Sequence, residues 1–76
     1  MNEYHIENEF GQLVLGLHVE INMSQEKLSE LSGLCSPYVY KIERGDKTAS
    51  IRTLVKLADG LDILPSSLIL DMDKSL

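Results

Sequence analysis

The sequence has 76 residues, one of them a cysteine, and a formal net charge of −5. A chain this short forms one domain and buries only about 60 % of its unfolded surface, so a partner chain is the expected source of extra stability. Cys35 alone excludes an internal disulfide and a multi-cysteine zinc site. No apolar run approaches the roughly 18 residues of a membrane span, and the first ten residues lack signal-peptide features. We therefore expect a cytoplasmic protein without a membrane segment.

The negative charge is concentrated at the two ends of the chain. Residues 1–9 and 71–76 together carry a net charge of −4, whereas residues 24–56 carry six cations against four carboxylates, a net charge of +2. The total argues against a polycation that coats nucleic acid. Because charges are screened beyond about 8 Å at physiological salt, the local balance matters more than the total. The middle of the chain remains compatible with phosphate, and we expect the acidic ends to lower non-specific DNA affinity.

Apolar residues recur at helical spacing along the whole chain. The first such stripe predicts a helix over residues 9–21, with Asn22 as its stop: Phe10, Val14, Leu17 and Ile21. Ser24 is a good N-cap for a second helix, and Gly33 ends that helix because glycine adopts a left-handed conformation at little cost. The inward face of this second helix is predicted to contain Leu28, Leu31 and Leu34.

A third helix is predicted to begin around residues 35–37, since proline is tolerated in the first turn. It points Val39 and Ile42 inward and ends at Gly45. Ser50 caps a fourth helix with a longer predicted inward face: Ile51, Leu54, Leu57, Ala58 and Leu61. Pro65 opens a short fifth helix that carries Leu68 and Ile69.

The organisation is therefore predicted to be a single all-α domain over residues 1–76, a compact five-helix bundle without strands. We expect an acidic extension over residues 1–8, a core over residues 10–70 and a tail over residues 71–76. Nothing in the sequence repeats, and no linker rich in proline, glycine or serine divides it.

The spacing of certain residues resembles the lambda-repressor/Cro-like, or XRE-type, helix-turn-helix family. The most specific segment is SQ-x2-L-x4-G-x8-IERG, residues 24–45. Residues that carry the resemblance over 10–70 are Gly11, Leu17, Ser24, Gln25, Leu28, Gly33, Ile42, Glu43, Arg44, Gly45, Ser50, Leu54, Leu57, Ala58, Leu61 and Leu68. The resemblance implies a fold with a helix-turn-helix and a sequence-specific transcriptional regulator, similar to restriction-modification controllers and small phage or plasmid repressors.

The resemblance also implies which residues contact DNA, since in this family the third helix enters the major groove and the second lies over the backbone. The reading face would contain Cys35, Ser36, Pro37, Tyr40 and Lys41. Phosphate contacts would come from Ser24, Gln25, Tyr38, Arg44 and Lys47. Ser36 and Pro37 stand where the family often has long polar side chains, so direct readout would depend mainly on Lys41, and DNA shape would supply part of the preference.

His18 is a second departure, because the family commonly has an arginine there that pairs with the glutamate matching Glu43. We expect a His18–Glu43 pair, and prefer a neutral, hydrogen-bonded histidine to a pH sensor. Leu15 and Val19 form a third departure, an apolar pair on the outer face of the first helix. Either a partner or residues 1–8 would cover this pair.

One recognition helix reads few base pairs, so a homodimer on a palindromic operator of double-stranded DNA is expected. The first choice for the dimer contact is Leu61, Ile63, Leu64, Leu68 and Ile69, and the second is Leu15 with Val19. The alternative function is a protein-interaction module of the same fold that no longer reads DNA. The acidic total, Ser36-Pro37 and the Leu15/Val19 pair favour it, and the positive middle segment favours DNA.

Other chemistry-bearing residues fit no site. His5 and His18 stand thirteen residues apart without a ligand at metal-binding spacing. Cys35 is interpreted as a small residue tolerated in a turn rather than a redox switch. The acidic residues near the C-terminus do not form a calcium loop: Asp59, Asp62, Asp71 and Asp73. We expect no enzyme activity, no cofactor and no metal.

Overall fold

The computed structural model describes residues 5–75, with side chains to residue 74. Within this range the chain forms five helices and no strand: α1 (Ile6–Glu20), α2 (Gln25–Ser32), α3 (Ser36–Arg44), α4 (Ile51–Gly60) and α5 (Pro65–Ser75). The predicted all-α, five-helix fold is confirmed. None of these helices is long and apolar enough to cross a membrane.

The predicted helix ends are confirmed where local chemistry determines them. The Ser24 Oγ accepts a hydrogen bond from the Lys27 N–H at 3.0 Å, and Ser50 caps α4 through the Thr53 N–H at 3.1 Å. Gly33 and Gly45 end α2 and α3 in the left-handed conformation, with φ of 70° and 83°. These two glycines set the direction in which the chain enters and leaves α3.

Two predicted boundaries are wrong. Residues 6–8 of the expected acidic extension belong to α1, because Glu7 and Glu9 suit the free amides of a first helical turn. Residues 71–75 of the expected tail continue α5, because Met72 packs against the core four residues after Leu68. Residues 1–4 and 76 of these two segments lie outside the described residues.

All five helices and Leu61, the residue that follows α4, contribute buried hydrophobic residues to the core. These residues are Phe10, Val14, Leu28, Val39, Ile42, Leu57, Ala58, Leu61 and Leu68. Two residues predicted to face inward are instead exposed, namely Leu31 at 45 % and Ile51 at 83 %. Ile51 is the first residue of α4 and lies beyond the core. Leu31 faces solvent because α2 contacts its neighbours through the side that bears Leu28 and Ser32.

Glycines allow two helix pairs to approach closely. A Cβ on Gly11 of α1 would collide with the Ile42 carbonyl oxygen of α3 and would lie 2.6 Å from that of Glu43. A Cβ on Gly60 of α4 would collide with the Ser32 Oγ of α2. Because only hydrogen fits at Gly11, the backbone of α1 directly supports the C-terminal half of α3.

Candidate nucleic-acid interface

A tight turn joins α2 to α3. The Gly33 N–H donates to the Glu30 carbonyl at 3.2 Å, and the Leu34 N–H donates to the Ser29 carbonyl at 3.0 Å. Cys35 then takes an extended conformation, and its carbonyl accepts from the Val39 N–H at 3.2 Å. The local backbone therefore satisfies its own hydrogen bonds and leaves the N-terminus of α3 at the surface.

The outward side of α3 and the loop after it form what we term the reading surface: Cys35, Ser36, Pro37, Tyr40, Lys41, Arg44 and Lys47. All of these residues are exposed except Ser36, which is half-buried. Within residues 5–74, the side chains of Lys41 and Lys47 make no hydrogen bond or ion pair. Two ammonium groups are therefore available to a ligand, while Val39 and Ile42 anchor the opposite side of α3 in the core.

Tyr40 and Arg44, one helical turn apart, support each other on this surface. The Arg44 guanidinium donates to the Tyr40 hydroxyl at 3.3 Å, lies 5.5 Å from the centre of the ring and pairs with Asp46 at 3.5 Å. The hydrogen bond to Tyr40 and then the nearby Asp46 carboxylate raise the pKa of Arg44 above its usual value. The guanidinium is therefore charged and oriented at the edge of the reading surface.

Two of the predicted phosphate contacts have side chains with partners inside the fold. The half-buried Tyr38 packs against the core, and its hydroxyl lies 3.1 Å from the Thr53 Oγ1 of α4. The Gln25 amide donates to the Glu43 carboxylate at 3.3 Å. Tyr38 thus joins α3 to α4, and Gln25 joins α2 to α3, in addition to any role at DNA.

The predicted His18–Glu43 pair is confirmed. The His18 Nε2 lies 2.7 Å from the Glu43 Oε2, and the His18 Nδ1 lies 2.6 Å from the Met23 carbonyl oxygen. Each of the two side chains is only 6 % exposed. We use the term junction for the contact of α1, α2 and α3 at Gly11, His18, Gln25 and Glu43.

The predicted dimer residues divide into two groups. Leu61 and Leu68 are 4 % and 0 % exposed, so they belong to the core. Their predicted place in the dimer contact is therefore wrong. The others reach the surface to different extents: Leu15, Val19, Leu64 and Ile69 are exposed, and Ile63 is half-buried.

A further apolar surface combines two predicted dimer residues, Ile63 and Leu64, with two residues of α4 that were not predicted to belong to it, Ile51 and Val55. Val55, Ile63 and Leu64 line one shallow groove at the α4–α5 connection. Ile51 lies one turn before Val55 on the same side of α4. We define the α4–α5 patch as Ile51, Val55, Ile63 and Leu64. The four-residue spacing of Ile51 and Val55 indicates that they share one side of α4. The sequence prediction, however, placed Ile51 on the inward face of this helix.

Among the described residues, no three histidine, cysteine, aspartate or glutamate side chains are grouped so that they could hold a metal ion. Cys35 is a free, exposed cysteine at the start of α3.

The helix-turn-helix family model matches residues 19–68. Control protein C.BamHI from Bacillus amyloliquefaciens is 36 % identical over 61 residues, which cover 79 % of this chain and 75 % of that protein. Control protein C.SmaI from Serratia marcescens is 42 % identical over 41 residues, which cover 54 % of this chain but only 49 % of that relative.

Solved structures show the same similarity. The restriction-modification controller protein C.AhdI from Aeromonas hydrophila superposes with a TM-score of 0.81 at 42 % identity, over 86 % of this chain and 98 % of that one. The controller C.Esp1396I, solved as a tetramer with its natural 35 base-pair operator, has the same fold, with a TM-score of 0.88 at 23 % identity and 96 % coverage of both chains. The chain belongs to the helix-turn-helix family, and C.BamHI and C.AhdI place it among the restriction-modification controller proteins.

Proposed function

We propose that the chain is a sequence-specific transcriptional regulator that acts in the cytoplasm and binds an operator as a homodimer, with α3 in the major groove. The observation that carries the proposal is the reading surface itself. It presents two unpaired ammonium groups beside short side chains at the start of an exposed helix, in a chain 42 % identical to a restriction-modification controller.

Each residue of the reading surface has a role that its chemistry allows. Lys41 donates to a base acceptor, with guanine O6 and N7 the best match, and Ser36 adds one hydrogen bond. Pro37 and Tyr40 pack on thymine methyl groups. Because these contacts read few positions, the shape and bending of the DNA supply the rest of the sequence preference.

Phosphate contacts position α3 in the groove. They come from Arg44 and Lys47, the last two residues of the reading surface, and from the N-terminus of α2 at Ser24 and Gln25. First-turn amides lack partners inside the helix and suit an anion. Cys35 is the exposed N-cap residue of α3.

The acidic start of α1 lies close to this surface. The Thr48 Oγ1 donates to the Glu7 carboxylate at 3.3 Å, and Glu7 and Lys47 line the same groove. Non-specific DNA binding depends on neutralising phosphates. The Glu7 carboxylate, in the same groove as Lys47, therefore lowers affinity for DNA of any sequence. At the operator, the base contacts of α3 offset this loss of affinity.

The α4–α5 patch is the proposed dimer contact. Ile51 and Leu64 are 83 % and 67 % exposed, more than the large hydrophobic residues elsewhere on the described surface. Covering them in a second copy adds apolar burial that a small core needs. The two recognition helices would then reach half-sites centred about 34 Å apart. Leu15 and Val19 remain the alternative contact.

The test is selection of bound duplexes from a random DNA pool, followed by a salt titration on the selected sequence. A palindromic consensus whose affinity falls steeply with salt would support the proposal. If no sequence were enriched, the proposed function would be rejected in favour of the protein-interaction module, and partners of Leu15 and Val19 would be sought.

A further inference from the structure

Both ring nitrogens of His18 face hydrogen-bond acceptors. The Met23 carbonyl oxygen, 2.6 Å from Nδ1, can only accept, so Nδ1 carries a hydrogen. The Glu43 Oε2 lies 2.7 Å from Nε2, and a hydrogen bond there also requires a proton. That proton resides on the imidazole or on the carboxyl group. In either case the hydrogen bond requires one proton more than a neutral histidine beside an ionised glutamate would hold.

The surroundings do not offer a substitute for this proton. Both side chains are 6 % exposed, so water has little access to them. The second oxygen of Glu43 accepts from the Gln25 amide of α2 at 3.3 Å, and no lysine or arginine pairs with Glu43 within residues 5–74. Without the shared proton, a nitrogen lone pair would face a carboxylate oxygen in a buried site, which is costly.

The contact also connects the reading surface to the rest of the fold. Glu43 lies in α3 between Ile42, which is buried, and Arg44, which is on the reading surface. His18 of α1 and Gln25 of α2 hold its two carboxylate oxygens. Loss of the proton would therefore loosen the attachment of α3 to both neighbouring helices.

We propose that His18 is a positioning residue that orients α3 through a proton shared with Glu43, so that operator affinity depends on this proton. The DNA part of the inference rests on the proposed function. Because the well-positioned form holds the proton, affinity falls as pH rises and the proton is withdrawn.

The experiment compares operator affinity from about pH 6 to about pH 9 for the parent chain and two variants. In Glu43→Gln, the glutamine amide can donate to Nε2 while a neutral His18 donates to Met23, so every hydrogen bond remains without the extra proton. In His18→Arg, the cation stays charged throughout. We expect the parent to lose about tenfold in affinity over this range, while both variants show flat profiles.

A second measurement reads the proton directly. Nitrogen NMR of the imidazoles and carbon NMR of the Glu43 carboxyl group would locate the proton, with the exposed His5 as an internal reference. We expect the spectra to show a proton between the His18 Nε2 and the Glu43 Oε2 in the folded chain.

Parallel pH profiles for the parent and Glu43→Gln, or a neutral His18 beside an ionised Glu43 in the folded chain, would overturn the inference and leave the proposed function intact. If the chain bound no DNA, the proposed function would fail. The NMR result and the pH dependence of unfolding in the parent and Glu43→Gln would still decide the inference.

Discussion

The junction and the α4–α5 patch are opposite in construction. At the junction, helix backbones touch at Gly11, and the side chains of His18 and Glu43 are 6 % exposed with their polar atoms bonded. In the patch, Ile51 and Leu64 are 83 % and 67 % exposed. The junction therefore acts within one chain by holding α3 in place. Ile51 and Leu64 of the patch bury little surface within the chain, and our proposal gives them a role between chains. One substitution in each region, compared with a control substitution outside it, tests this division.

The largest effect is expected at Gly11. A valine there would place its Cβ against two backbone carbonyl groups of α3, which cannot move as a flexible side chain would. We expect Gly11→Val to lower the free energy of unfolding by about 4 kcal/mol, measured by urea denaturation.

Gly16→Val is the matched control, because Gly16 lies in the same helix and a Cβ there would meet no atom within 4 Å. It should change stability by no more than about 0.5 kcal/mol. Equal losses for the two variants would show that the close approach of α1 to α3 does not matter for stability.

The next effect concerns association. Ile51→Glu places a carboxylate in the first turn of α4, where the helix tolerates it, but removes an apolar contact from the patch. A two-fold dimer loses that contact twice, so we expect dimerisation to weaken by about 3 kcal/mol, or more than about a hundredfold in Kd. Sedimentation equilibrium measures this change, and monomer stability should remain at the parent value.

Val19→Glu replaces an apolar residue of α1 that is 58 % exposed and lies outside the patch. It should leave the dimer unchanged. If Val19→Glu separated the subunits and Ile51→Glu did not, the dimer contact would be the face of Leu15 and Val19.

A smaller effect is expected on the reading surface. Lys41→Ala should cost about 1–3 kcal/mol at the operator and relax the preference at one base pair. Lys47→Ala should weaken binding equally on all sequences and reduce the salt slope by about 1. Fluorescence anisotropy with operator and scrambled duplexes separates the two. A uniform loss for Lys41→Ala would reassign Lys41 to phosphate.

The smallest effect belongs to Glu7. Glu7→Gln removes a carboxylate that lines the same groove as Lys47, and we expect non-specific affinity at low salt to rise by about twofold. Glu20→Gln, at the other end of α1, serves as the control for net charge. If both variants raised affinity equally, the total charge of the chain would matter rather than the position of Glu7.

The sequence predicted features that depend on local chemistry. Ser24 and Ser50 begin their helices and Gly33 and Gly45 end theirs where expected, because caps and left-handed glycines act within a few residues. The direction of Leu31 and Ile51 was wrong, since helical spacing alone does not say which neighbour covers each side of a short helix.

The same distinction applies to the candidate site. The resemblance placed Lys41 and Arg44 on an exposed helix and paired His18 with Glu43. It did not show that the Tyr38 hydroxyl faces Thr53 or that Gly11 touches the α3 backbone, because those contacts depend on how whole helices pack. The exposure of Ile51 and Val55 beside Ile63 and Leu64 was not predicted, for the same reason.

The most direct test of a dimeric operator-binding regulator is the mass of its complex with the selected duplex, measured by native mass spectrometry and combined with footprinting. We predict an even number of chains per duplex and two protected half-sites centred about 34 Å apart. A single chain bound to one unpaired site would contradict the account.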